Sequence, residues 1–160
     1  MRKTICVLVL GVAGMAALTG TVLATTGSGF TATTLAKGQL DAIDAHVQSL
    51  PAEWQAKLKS KGVSDLYVQS NVWTAGGHTG WHTHPGPSLI IVTAGTITAY
   101  EGGCEGQEYT TGMAFVDTGG GDVHILRNEG AVEARTIAVQ IIPTGAVRRI
   151  DTPAPEDCGF

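Results

Sequence analysis

After residue 65 the chain is a series of short apolar runs closed by glycine turns, and this punctuation limits what it can fold into. Leu66 to Trp73 ends at Ala75-Gly76-Gly77, Ser88 to Ala94 at Gly95, and Thr96 to Tyr100 at Glu101-Gly102-Gly103. A short run around Glu108 to Thr110 follows, then Met113 to Asp117 after Gly112. Gly119-Gly120-Gly121 leads into Val123 to Arg127, and Asn128-Glu129-Gly130 leads into Val132 to Ile142. Runs of this length, rich in β-branched residues and bounded by glycine, predict strands. So many of them in succession predict an all-β sandwich or barrel of antiparallel strands.

Upstream the pattern is less one-sided. Ile43, Ala45 and Val47 alternate with Asp44 and His46, and Trp54, Ala56 and Leu58 alternate with Gln55, Lys57 and Lys59. Helix propensity is adequate there, but a period of two favours a pair of strands turning at Leu50-Pro51. His46 then falls on the polar face, as a solvated residue. Thr25 to Lys37 is rich in Thr, Ser and Gly and is expected to be a flexible lead-in. Residues 38–160 are expected to form the barrel domain, with a tail marked by Pro143, Pro153 and Pro155.

The first 24 residues stand apart. Arg2 and Lys3 precede an almost uncharged apolar run from Ile5 to Leu23, and Val22-Leu23-Ala24 suits a signal peptidase. The expectation is a signal peptide over residues 1–24 and a secreted, extracytoplasmic product. An uncleaved anchor is the rival, since the run approaches the length that spans a bilayer. Without the leader, 8 basic residues face 14 acidic ones, a net charge of −6. Such a balance argues against nucleic acid as a partner. Cys104 and Cys158 also remain, and an exported protein meets conditions in which thiols oxidise. They are expected to pair as a disulfide.

Chemistry concentrates between Gly76 and Gly95, GGHTGWHTHPGPSLIIVTAG, which holds three of the five histidines. On a strand, residues two apart share a face, so His82 and His84 aim their imidazoles together while Trp81 and Thr83 point away. Converging neutral imidazoles are a usual way to bind a divalent metal. Pro85 and Pro87 stiffen the chain just beyond the pair. Trp73, Trp81 and Tyr100 are either pocket-mouth or packing residues.

This stretch and a second one downstream together resemble the cupin family of small jelly-roll barrels. The first family motif is Gly, five residues, His-any-His, three or four residues, Glu, six residues, Gly; here it reads Gly76, His82-Thr83-His84, Ser88, Gly95. The second is Gly, five residues, Pro-any-Gly, two residues, His, three residues, Asn; here it reads Gly112, six residues, Gly119-Gly120-Gly121, two residues, His124, three residues, Asn128. The resemblance implies a single cupin barrel, carrying here an N-terminal strand-rich arm. It also implies that His124 faces His82 and His84 across the barrel interior. Those three histidines would hold a divalent transition metal (Fe, Mn, Zn, Ni or Cu) beside a small-molecule pocket. Two departures stand out. Ser88 replaces the carboxylate ligand, and Gly119 replaces the motif proline, which is expected to loosen that turn. A metal completed by water, a substitute ligand such as His78 or Glu101, and a metal-free barrel all stay open. So do a metal-dependent oxygenase or isomerase, a non-enzymatic binder of a sugar or small acid, and a surface module that forms homodimers.

Overall fold

The computed structural model describes residues 24–48, 53–156 and 158. Among these, twelve strands and no helix are present. β1 (Ser28–Leu40), β4 (Ser64–His78), β5 (His82–Thr83), β6 (Ser88–Ala94) and β7 (Thr96–Glu101) belong to one ten-stranded sheet. So do β8 (Gly106–Thr110), β9 (Ala114–Asp117), β10 (His124–Arg127), β11 (Ala134–Pro143) and β12 (Ile150–Asp151). β2 (Asp44–Gln48) and β3 (Gln55–Lys59) form a separate two-stranded sheet. The main path runs β12-β5-β10-β4-β11-β6-β9, with β1 on β4, β7 on β10 and β8 on β7. The all-β expectation holds, and the glycine-bounded runs emerge as strands at the expected places.

The interior is built by alternation. On β6, Ser88, Ile90 and Val92 are buried while Leu89 and Ile91 face outward. β11 runs beside it, with Ala134, Thr136, Ala138, Gln140 and Ile142 inward. Trp73, Ile90, Val92, Ile97, Leu126, Ala134 and Ala138 form the larger core cluster. A second cluster joins Trp81, Ile125 and Cys158. Trp73 and Trp81 are both fully buried, Trp73 also walling the interior cavity, and Tyr100 packs on the second cluster while its hydroxyl donates to Glu129.

Turn chemistry follows from backbone need at two places. Gly95 has φ +69°, and a Cβ there would press on the Glu133 carbonyl and Ala134. Gly119 has φ +66° and lies so close to the Gly86 carbonyl that no side chain fits. A proline, fixed near φ −65°, is excluded from that conformation. The turn is thus tightly packed against its neighbour, not loosened. Asn128 closes the following turn, donating from Nδ2 to the carbonyls of Thr74 (3.0 Å) and Val132 (2.7 Å) and accepting from the Gly130 N–H (3.1 Å).

Two upstream expectations resolve differently. The proposed Thr-rich lead-in is a strand: β1 pairs with β4 from Ser28↔His78 to Leu40↔Ser64. Threonine favours extended backbone, and an edge strand needs few apolar residues because little of it is covered. Phe30 is its inward anchor, 4.9 Å from Trp73 ring to ring. Just before it, the Thr25 N–H donates to the Thr152 carbonyl, and Thr25 Oγ1 accepts from the Trp81 N–H. The period-two reading of the arm does hold. Ala45 pairs with Leu58 and Val47 with Ala56 on one face, Asp44 with Lys59 and His46 with Lys57 on the other. The Leu50-Pro51 turn and most of the leader lie outside the described residues. No helix among the described residues is long and apolar enough to cross a membrane.

The tail is fastened at two points. β12 pairs with β5 through Ile150↔Thr83 and Asp151↔His82. Cys104 and Cys158 are joined, with Cα atoms 5.4 Å apart.

Candidate metal centre

β5 and β10 lie side by side, and their register places His124 directly opposite His82. His124 is therefore the lateral neighbour of His82, not a residue facing it across the interior. The correction is one of topology: β5 is a short strand inserted between β12 and β10, so both motifs meet at adjacent strands. Ring centroids are 4.3 Å apart for His82 and His124, 4.8 Å for His82 and His84, and 5.4 Å for His84 and His124. One ligand atom from each of the three lies within 4.8 Å of the others.

The orientation of each ring is fixed from behind by the backbone. Nδ1 of His82 lies 2.9 Å from the Gly80 carbonyl, Nδ1 of His84 2.6 Å from the Arg148 carbonyl, and Nδ1 of His124 3.3 Å from the Asp122 carbonyl. A carbonyl only accepts, so Nδ1 carries the proton and donates in all three rings. Each Nε2 is left with a free lone pair. Metal-binding histidines are commonly oriented in this way, by a hydrogen bond from the ring nitrogen that does not ligate. Burial reinforces it: His82, 4% exposed, is pushed down to about 2 from an ordinary 6.5, mainly by loss of solvent. Burial likewise lowers His84, partly offset by its bond to the Arg148 carbonyl and by Asp117. Both rings are neutral at physiological pH, the form that binds a metal.

The histidines open onto a cavity of about 250 Å³. Its apolar wall is Phe30, Trp73, Ile90, Leu126 and Ala138, and its polar wall Gln69, Asn71, Gln140 and Arg148. Arg148 donates from Nε to Gln140 (3.1 Å), from Nη1 to Thr34 (3.0 Å) and from Nη2 to Gln69, and lies 4.2 Å over the Tyr67 ring. Every one of those partners is neutral. Arg149 instead pairs with Asp151 and donates to the Thr79 carbonyl.

Of the residues considered as substitute ligands, neither joins the cluster. His78 accepts from the Gly80 N–H at the end of β4, and Glu101, though it pairs with His124 across β7 and β10, is exposed on the wall of a second cavity of about 550 Å³ that His124 and Asp117 also line. The carboxylate beside the histidines is Asp117, which sequence reasoning passed over. Its Oδ2 lies 3.7 Å from His84 Nε2 and its Oδ1 3.7 Å from His124 Nδ1. A signal existed in the run Met113 to Asp117. Read as a strand, it puts Asp117 on the same face as Phe115, an acid on the inward side.

Both histidine motifs lie on neighbouring strands of one ten-stranded sheet, and the all-β architecture agrees with the cupin resemblance. No family model matches the sequence, and no curated protein matches it. Solved structures similar to it include a cupin domain from Bordetella pertussis, at 17% identity over 63% of this chain and 93% of that one, with a TM-score of 0.43. A conserved double-stranded β-helix protein from Klebsiella pneumoniae shares 18% identity over 70% and 85% of the two chains, with a TM-score of 0.45. A salicylate 1,2-dioxygenase from Pseudaminobacter salicylatoxidans shares 19% identity over 47% of this chain and 20% of that one, with a TM-score of 0.43.

Proposed function

We propose that this cupin-fold chain is exported, is cleaved after Ala24, and holds a divalent transition metal on His82, His84 and His124 next to a pocket for a small organic molecule. The observation that carries the reading is the set of three Nδ1 atoms committed to backbone carbonyls, which leaves the three Nε2 lone pairs available, in rings whose ligand atoms lie within 4.8 Å of one another. Three imidazoles leave coordination positions open, the arrangement of a catalytic rather than a purely structural site. A metal held there would supply Lewis acidity or oxygen activation. The chain's own residues do the rest. Trp73, Phe30 and Leu126 enclose the apolar part of a ligand and exclude water, while Gln69, Asn71, Gln140 and Arg148 orient its polar end. Imidazole suits Fe, Zn, Ni and Cu alike, so the ligand set does not choose among them.

Elemental analysis of the protein purified without a histidine tag tests this directly. About one equivalent of metal per chain, lost in both His82→Ala and His124→Ala, is the expected result. Metal content that neither substitution changes would sink the reading. Oxygen uptake with small acids by the loaded protein then separates an oxygenase from a binder.

A second reading, a metal-free receptor for a small acid, draws on Arg148. No described carboxylate pairs with its guanidinium, although the residue lines the pocket. Thermal stabilisation by small carboxylates in chelator, abolished by Arg148→Gln, would favour it. Homodimerisation is proposed on the outer face of β6 and β9, where Leu89, Ile91 and Val116 are exposed together. Sedimentation of wild type against Ile91→Glu tests that surface.

A further inference from the structure

We propose that Asp117 is the fourth protein ligand of the metal centre, supplying from β9 the carboxylate that Ser88 does not supply from β6. The inference rests on the metal reading above. β6 and β9 are antiparallel neighbours, and their register sets Ser88 directly opposite Asp117. Cross-strand partners project to the same face, with Cβ atoms about 4.5–5.5 Å apart. Both residues are buried. An acid at 117 therefore approaches the histidines from the strand beside Ser88, from the wall of the second cavity, which His124 also lines.

The state of the carboxylate points to a missing partner. Its side chain is 6% exposed. Oδ1 is engaged, accepting from the Gly119 N–H at 2.9 Å. Oδ2 is buried and has no hydrogen-bond partner. An orphaned, buried carboxylate oxygen is costly, and such atoms in native proteins call for an ion or water that completes them. Oδ2 lies 3.7 Å from His84 Nε2, the nitrogen that the Arg148 carbonyl leaves free on the far side of the ring. Ligand bonds of about 2.0–2.2 Å bring any two donors on one ion to within about 4.4 Å of each other. The Asp117–His84 separation is within that limit, while the histidine nitrogens, which lie within 4.8 Å of one another, and the Asp117 carboxylate would draw closer around a bound ion. His124 Nδ1, also 3.7 Å away, is too far for a hydrogen bond to Oδ1 and is directed at the Asp122 carbonyl.

The two positions at which the chain departs from its motifs are thereby linked. Ser88, small and neutral, leaves room beside Asp117. Gly119 contributes the N–H that holds Oδ1 and so turns Oδ2 toward the histidines, a donor that proline lacks. Three histidines and one carboxylate also leave the bound ion with one compensating negative charge.

The test is a cobalt(II) titration of the tag-free, chelator-stripped protein, following the visible absorption of the bound ion. Asp117→Asn keeps an acceptor for the Gly119 N–H, and an unchanged melting curve of the stripped variant shows that it folds. The expected loss of affinity exceeds about 100-fold, beyond the 10–100-fold typical of an outer-shell partner, and the absorption spectrum changes. Adding Ser88→Glu to Asp117→Asn should restore at least about tenfold of it, because the carboxylate then returns from the neighbouring strand. Wild-type binding with Asp117→Asn within about threefold and an unchanged spectrum overturns the assignment. So does a loss with an unchanged spectrum and no recovery by Ser88→Glu, which would make Asp117 a positioning residue acting through His124. If wild type binds no cobalt and His124→Ala changes nothing, the three-histidine reading itself fails.

Discussion

The β2–β3 hairpin carries the sequence pattern that best advertises a buried face, yet it is the β6–β11 wall that is buried. The hairpin alternates apolar and polar residues with a period of two, whereas β6 is a nearly continuous apolar run from Leu89 to Val92 and β11 turns Thr136 and Gln140 inward. In the wall, Ile90, Val92, Ala134 and Ala138 are buried against Trp73. In the hairpin, Val47 is 52% and Leu58 46% exposed, although they share one apolar face with Ala45 and Ala56. Alternation thus sets extended backbone and facing, while burial depends on what the rest of the chain places opposite. A two-stranded hairpin alone is marginal in water, so most of the stability must reside in the barrel.

The sharpest way to break this contrast is truncation on each side. Trp73→Ala should cost about 3–5 kcal/mol in urea denaturation, as for other buried aromatics. Leu58→Ala should stay within about 0.5 kcal/mol. Similar losses at both sites would mean that the hairpin face is covered in solution. Next in size is the staple. The 54-residue separation between Cys104 and Cys158 corresponds to about 4 kcal/mol or less of stabilisation in the chain-entropy model. Reduction should lower the melting temperature of the barrel accordingly, and a shift of two mass units should report the reduction. A smaller effect is expected at the turn. Asn128→Ala leaves the Thr74 and Val132 carbonyls and the Gly130 N–H without a side-chain partner. The cost should be about 1–3 kcal/mol.

The smallest test compares two ion pairs. Lys37–Asp65, at 3.0 Å, joins the barrel edge to a buried carboxylate, whereas Lys59–Asp44, at 2.8 Å, is exposed at both ends. The hydrogen bond from Lys37 holds the Asp65 carboxyl below its ordinary 3.8. A depressed folded value stabilises the protein above pH 3.8, and the contribution disappears as pH falls through the folded value. Asp65→Asn should therefore flatten the acid limb of a stability–pH curve measured from pH 5 to 2. Lys59→Ala should leave that limb unchanged, consistent with the 0–1 kcal/mol typical of exposed pairs.

The same contrast explains what was legible in the sequence. Glycine punctuation and alternation report local backbone, and the strands from Ser64 onward follow them closely. The three histidines were legible because two spaced motifs share one architecture. β1 was not, because an edge strand rich in threonine lacks the apolar alternation that marks a covered one. Asp117 was missed for a different reason. Its inward facing could be read from Phe115 two residues before it, but its significance comes from lying opposite Ser88 across β6 and β9, and that pairing between segments nearly 30 residues apart leaves no mark on local spacing. Arg148, whose carbonyl orients His84 from 64 residues away, belongs to the same class.

Thr25 binds the backbone of Trp81, the residue just before His82, and of Thr152 in the strap that follows β12. The chain therefore has little slack between Ala24 and the three histidines. A purification tag fused immediately ahead of Thr25 would be delivered to the flank of β5. A polyhistidine tag placed there would offer the site a stream of rival imidazoles. Preparations intended for metal analysis are better tagged elsewhere, or cleaved before the first measurement.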